Sequence, residues 1–252
     1  MIALWDQWAL LVAAAFGAGV LNAVAGGGSF LTFPALVATG VAPIAANATS
    51  AVAVSPGYLG STLGFRGELA RLPRERLLAE SGVCAAGGVA GALLLLVTPA
   101  RVFAAVVPWL LVFATVVFAI GPRLLALRTA RGGAEPRPGA RLAGLAAVAV
   151  YGGYFNGGLG ILLMALYAVT GEQDIHVANA LKNLGSLVLS LLSVLVFAWA
   201  GAVAWPQALV MMALATLGGF AGARLARRLP ARAVRAVVMV TGVVMAAVFF
   251  AR

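Results

Sequence analysis

The sequence is short of almost everything that polar chemistry uses. Its 252 residues include one cysteine, one histidine and seven acids, and charged residues are 10% of the chain, against roughly 25% in soluble domains. The single cysteine, Cys84, excludes an intrachain disulfide and a cysteine-built metal cluster. The lone histidine, His176, leaves no H-E-x-x-H pair, and neither G-x-S-x-G nor G-x-x-x-x-G-K-[ST] occurs. Metal-assisted or nucleophilic hydrolysis and ATP hydrolysis therefore lack their usual parts. No enzymatic activity, cofactor or metal site is expected. The acids, Asp6, Glu68, Glu75, Glu80, Glu135, Glu172 and Asp174, all fall in loops or close to segment ends. A cation pathway or acidic proton relay ordinarily needs a carboxylate at membrane depth, so this scarcity favours an anion over a cation.

What is present is apolar. Hydrophobic residues make up 63% of the chain and mean hydropathy is +1.06. Apolar runs recur at 8–25, 44–65, 77–98, 102–122, 142–170, 175–200, 206–223 and 233–251, most of them near the ~20 residues that a bilayer helix requires. The chain reads as an all-α polytopic integral membrane protein. Met1 to Gln7 holds Asp6 and no basic stretch, so the first segment is expected to remain in the mature protein. The net charge of +10 is concentrated: fourteen of seventeen basic residues fall in loops 66–76, 123–141 and 224–235. That pattern is expected of cytoplasmic loops rather than of a nucleic-acid site.

The chain also repeats itself. At an offset of 131, Gly87-Gly88-Val89-Ala90-Gly91-Ala92 falls on Gly218-Gly219-Phe220-Ala221-Gly222-Ala223, and positions 87–120 give 15 identities in 34. Near the start of each half the offset is 132 and pairs Ala46-Asn47-Ala48 with Ala178-Asn179-Ala180. A duplication follows, with an N-terminal transmembrane repeat over 1–122, an Arg/Gly/Pro-rich linker over 123–141 and a C-terminal repeat over 142–252. Gly87 with Gly91, and Gly218 with Gly222, permit close helix approach.

The basic loops fix how the halves are oriented. All three share one side only if each half begins with a hairpin that returns to the face it entered from. The first would run Ala9 to Ala25 and back over Phe30 to Thr39, tipped by Gly26-Gly27-Gly28; the second would run Leu142 to Asn156 and back over Ile161 to Val169, tipped by Gly157-Gly158-Leu159-Gly160. The repeats are then inverted, with both termini opposite the basic loops and about three transmembrane helices after each hairpin. Interrupted helices at the midplane leave backbone groups free to meet a ligand, and the helix after each tip offers unpaired N–H groups to an anion. A glycine cluster also serves as a plain tight turn.

Polar side chains follow each hairpin at matching depth. Asn47, Thr49, Ser50 and Ser55 interrupt the first apolar run; Asn179, Lys182, Asn183 and Ser186 interrupt the second. Lys182 is the only lysine, and an ionisable residue inside a membrane is a functional candidate by default. The bland alternatives stay open: Lys182 snorkels to the interface or pairs with Asp174 or Glu172, the amides are interhelical glue, and His176 caps a helix.

The stretch Asn22-Ala-Val-Ala-Gly26-Gly27-Gly28-Ser-Phe-Leu-Thr-Phe-Pro34, followed by Gly40-Val-Ala-Pro43 and Ala46-Asn47-Ala48-Thr49-Ser50, resembles the sulfite exporter TauE/SafE family of membrane permeases. The second copy, Gly157-Gly158-Leu159-Gly160 with Ala178-Asn179-Ala180-Leu181-Lys182, resembles it too, although Leu159 and Leu166 depart from the pattern of the first tip. The resemblance implies a multi-pass protein of the bacterial inner membrane that carries sulfite, sulfoacetate or a related organosulfonate. The expected binding set is Asn22, Gly26, Gly27, Gly28, Asn47, Thr49, Ser50, Asn156, Gly157, Gly158, Gly160, Asn179, Lys182 and Asn183. An anion channel without alternating access and a non-transporting scaffold are the competing readings. The expected partners are a small anion and the lipid bilayer, with a homodimer open to the chain.

Overall fold

The computed structural model describes residues 4–24, 27–130, 138–225 and 231–250. Among them the regular elements are helices: α1 (Leu4–Val24), α2 (Ser29–Ala38), α3 (Pro43–Gly64), α4 (Arg66–Ala70), α5 (Arg74–Val97), α6 (Ala100–Ala130), α7 (Pro138–Tyr154), α8 (Leu159–Val169), α9 (Ile175–Trp199), α10 (Trp205–Leu225) and α11 (Ala231–Phe250). Arg74–Val97, Ala100–Val117 and Ile175–Trp199 are long and apolar enough to cross a bilayer among the described residues. Trp199 and Trp205, which flank the α9–α10 turn, are both exposed, as amphipathic rings at a membrane interface are.

Both hairpins form where glycine breaks the chain. α1 ends at Val24 and α2 begins at Ser29; α7 ends at Tyr154 and α8 begins at Leu159. At 10 and 11 residues, α2 and α8 reach only about 15–17 Å at 1.5 Å per residue, half of the ~30 Å hydrocarbon core. Neither is long enough to cross it. Gly26 and residues 131–137 and 226–230, which include parts of the first tip and of two basic loops, lie outside the described residues. Residues 123–130 continue α6, and α7 starts at Pro138, so helix occupies both ends of the stretch read as a linker.

The helix pairings come in matched sets. α1 packs on α10 as α7 packs on α5; α3 meets α10 as α9 meets α5; α2 meets α11 as α8 meets α6; and α3 and α9 meet each other. Glycines permit the closest of these approaches. A Cβ on Gly91 would strike the backbone of α7 at Val150 and Tyr154, and one on Gly19 the backbone of α10 at Ala215 and Gly219. Gly87 and Gly218 are equally confined, the first by Ala149 and the second by Phe16. In the centre, Ser55 of α3 and Ser190 of α9 are hydrogen-bonded at 3.0 Å between hydroxyls.

Candidate functional site

The two hairpin tips meet, and what lies between them is aromatic. Phe33 of α2 stands edge-on to Phe155 at the second tip, with ring centroids 5.5 Å apart. Gly158 takes a left-handed φ of +79°, and a Cβ there would lie 2.9 Å from Ala114 and 3.4 Å from the ring of Phe30. Glycine is required at this point both by its dihedral and by the approach of Ala114 on α6. Phe30, Phe33 and Phe155 are fully buried. The tip backbone is largely occupied: the Gly28 N–H donates to Asn22 Oδ1 at 2.8 Å, the Gly27 and Gly28 carbonyls accept the first amides of α2, and the Gly157 carbonyl accepts the Tyr151 hydroxyl at 2.7 Å. Asn156 is buried with its Oδ1 unpartnered among the described residues.

An opening that several polar side chains reach lies beside the tips. A cavity of about 520 Å³ is bounded by α1, α3, α8, α9 and α10, within the ~300–1,000 Å³ typical of small-molecule sites. Of the residues expected from sequence it gathers Asn22, Gly160, Lys182 and Asn183. Lys182 Nζ donates to Asn179 Oδ1 at 3.2 Å, while the Asn179 amide nitrogen donates to the Ile175 carbonyl at 3.0 Å. The two acids considered as partners for Lys182 are engaged elsewhere. Asp174 caps α9, accepting from the N–H groups of His176 and Val177 at 2.8 and 3.4 Å, and Glu172 pairs with Arg76 at 2.7 Å. Gly160 lies in the first turn of α8, where the Leu159, Ile161 and Leu162 N–H groups donate to the Asn156 and Gly158 carbonyls.

Asn47, Thr49 and Ser50 are buried away from this opening. Asn47 Nδ2 donates to the Tyr154 carbonyl at 3.1 Å, joining α3 to the end of α7. Thr49 Oγ1 accepts from the Ala204 N–H at 3.0 Å just before α10. The Ser50 and Thr32 hydroxyls are hydrogen-bonded at 2.6 Å, tying α3 to α2. These side chains hold helices in register.

Sequence reasoning missed two groups. The first is the rest of the cavity wall: Tyr58 and Ser61 with Gly57, Gly60 and Gly64 on α3, and Thr216 on α10. A run of glycines three and four apart on α3 was the available signal. The second is a buried ionic cluster. Glu80, six residues into α5 and only 4% exposed, is held by Arg76 Nε at 2.9 Å, Arg141 Nε at 2.9 Å and the Tyr167 hydroxyl at 2.8 Å. Glu80 is near a segment end as expected but buried; what is corrected is the placement of Arg76 and Arg141 as loop charges. Glu80 lies inside α5, Arg76 in α5 and Arg141 in α7. A buried arginine needs a carboxylate, and its loop-like neighbours in sequence hide that need.

Comparison with known proteins agrees with this architecture. The profile of the family described as "Sulfite exporter TauE/SafE" matches residues 11–249. The chain is 28% identical over 245 residues to the probable membrane transporter protein YfcA of Escherichia coli K12, covering 91% of this chain and 84% of that one. It is 27% identical to the probable membrane transporter protein ORF9 of a Sinorhizobium species, covering 94% and 90% of the two chains. A probable membrane transporter protein of Haemophilus influenzae is 28% identical, covering 96% and 94%. No solved structure matches the chain.

Proposed function

The chain belongs to the sulfite exporter TauE/SafE family of membrane proteins, and from that premise we propose that it carries a small anion, sulfite, sulfoacetate or a related organosulfonate, by alternating access. The observation that carries the reading is Lys182. It is the only lysine in the chain, lies in a helix able to span a bilayer, lines the cavity and has a neutral amide as its hydrogen-bond acceptor. A cation without a carboxylate, in a low-dielectric cavity, is a strong attractor for an anionic group. Asn183, Asn22 and the N–H of Gly160 supply neutral donors around it.

The proposed carrier works as two inverted halves, with the Arg-rich loops on the cytoplasmic side of the bacterial inner membrane. Matched helix pairings support a pseudo-twofold relation, and the Arg76–Glu172 bridge supports one shared side for the start of α5 and the α8–α9 turn. The test is radiolabelled sulfite flux in proteoliposomes containing wild-type protein or Lys182→Ala. The variant is expected to fold and to lose most flux; unchanged flux removes Lys182 from the site. Counterflow is expected to show trans-stimulation, which a simple pore lacks.

A further inference from the structure

The α3 wall of the cavity is bare. Gly57, Gly60 and Gly64 line it, at the three- and four-residue spacing that usually marks helix contact in a bilayer. Elsewhere in this protein glycine does mark such contact, as at Gly19, Gly87, Gly91 and Gly218, where a Cβ would collide with the neighbouring helix or its side chains. At Gly57, Gly60 and Gly64 a Cβ would meet nothing within 4 Å. Gly57 and Gly60, inside α3, weaken the helix relative to alanine without allowing a closer approach of another helix of this chain. Their absent side chains leave space.

Two buried polar groups border the same space. Tyr58 and Asn183 are each only 6% exposed and line the cavity, and among the described residues neither the Tyr58 hydroxyl nor the Asn183 carboxamide has a hydrogen-bond partner. Both side chains can therefore hydrogen-bond an occupant that bears acceptors or donors. The wall from Gly57 to Gly64 extends about 10 Å along the helix, longer than an inorganic oxyanion needs.

From these observations we infer that the Gly57–Gly60–Gly64 face of α3 receives the uncharged part of an organic anion, and that its lack of side chains sets the upper size of the cargo. The charged head sits at Lys182 and Asn183, with Tyr58 hydrogen-bonded to the ligand. This rests on the anion-carrier reading above and adds to it the residues that discriminate between cargoes.

The experiment is flux of sulfite, methanesulfonate, propanesulfonate and benzenesulfonate into proteoliposomes, for wild type, Gly57→Ala, Gly60→Ala and Gly60→Val, with thermal unfolding of each protein in detergent. Since excess methylenes in a fitted site are worth about tenfold or more each, Gly60→Val is expected to cut the flux of the largest sulfonate that wild type carries by at least that factor. Sulfite flux should stay near wild type. Gly57→Ala and Gly60→Ala should fall between, with no loss of thermal stability. Equal loss for all cargoes, no loss for any, or a wild type that carries sulfite alone would each overturn the inference. A wild type that carries none of the four overturns the carrier reading itself, and is recognised without any variant.

Discussion

The ammonium of Lys182 lies 3.2 Å from Oδ1 of Asn179, one turn back on α9, while the ion pairs among the described residues all involve Arg76 or Arg141. Asn179 is itself anchored by the Ile175 carbonyl. The amide thus orients the cation without neutralising it. Lys182→Gln keeps a donor and removes the charge. It is expected to weaken anion binding by about 1.5–3 kcal/mol, the worth of a hydrogen bond to a charged group, or roughly 10- to 150-fold in Kd. Asn179→Ala, which leaves the charge and removes only its anchor, should cost less. Titration calorimetry with sulfite and sulfoacetate checks both; a Lys182→Gln variant that binds like wild type contradicts the assignment.

Asn47 and Thr49 are expected to behave in the opposite way. Their side chains bond to the Tyr154 carbonyl and the Ala204 N–H, so Asn47→Ala and Thr49→Val each remove one contact between distant parts of the chain. Each should lower stability by about 1–3 kcal/mol, the penalty for leaving a buried partner unsatisfied, with Kd for the anion changed little. Thermal unfolding and binding measured on the same preparations separate the two effects. A large loss of affinity at unchanged stability would return these residues to the binding site.

How much of this was visible in the sequence differs by feature, for physical reasons. The hairpins were legible because glycine clusters and short apolar returns leave few other solutions: the expected Phe30 to Thr39 and Ile161 to Val169 arms are the helices Ser29–Ala38 and Leu159–Val169. Lys182 was legible because a lone cation in an apolar run is conspicuous. Asn47 and Ser50 looked the same as Asn183 in sequence, since depth along a helix does not say which way a side chain turns. Only packing separates them. Arg141 and Glu80 misled for a related reason: charge near a run of arginines reads as loop, whereas Arg141 is buried against Glu80.

Glycine substitution should therefore give opposite results at equivalent-looking positions. At Gly19 a Cβ would lie 2.5 Å from the Gly219 nitrogen and closer still to the Ala215 carbonyl, so Gly19→Ala forces α1 and α10 apart. Overpacking of this kind costs about 1–3 kcal/mol. Gly60→Ala, inside α3, meets open space and should raise stability by about 0.5–1 kcal/mol through helix propensity. Thermal melts of the two variants in one detergent test the contrast, and a destabilised Gly60→Ala would mean that its face is packed.

The buried cluster around Glu80 yields the last expectation. One carboxylate receives Arg76, Arg141 and Tyr167, and Arg76 also binds Glu172, so α5, α7, α8 and the α8–α9 turn are joined through a single residue. Glu80→Gln keeps the shape and removes the charge. Arg141 then loses its partner among the described residues, and a buried cation left uncompensated costs about 3–5 kcal/mol. Arg76 retains Glu172 and suffers less. Tyr167→Phe removes one neutral donor to a carboxylate and should cost only about 1–3 kcal/mol. The order expected in unfolding by denaturant is therefore wild type, Tyr167→Phe and then Glu80→Gln as least stable. Because the cluster uses none of the cavity-lining side chains, the surviving folded fraction of each variant should bind anion with near wild-type Kd. A selective loss of affinity in Glu80→Gln would instead couple this cluster to the anion site.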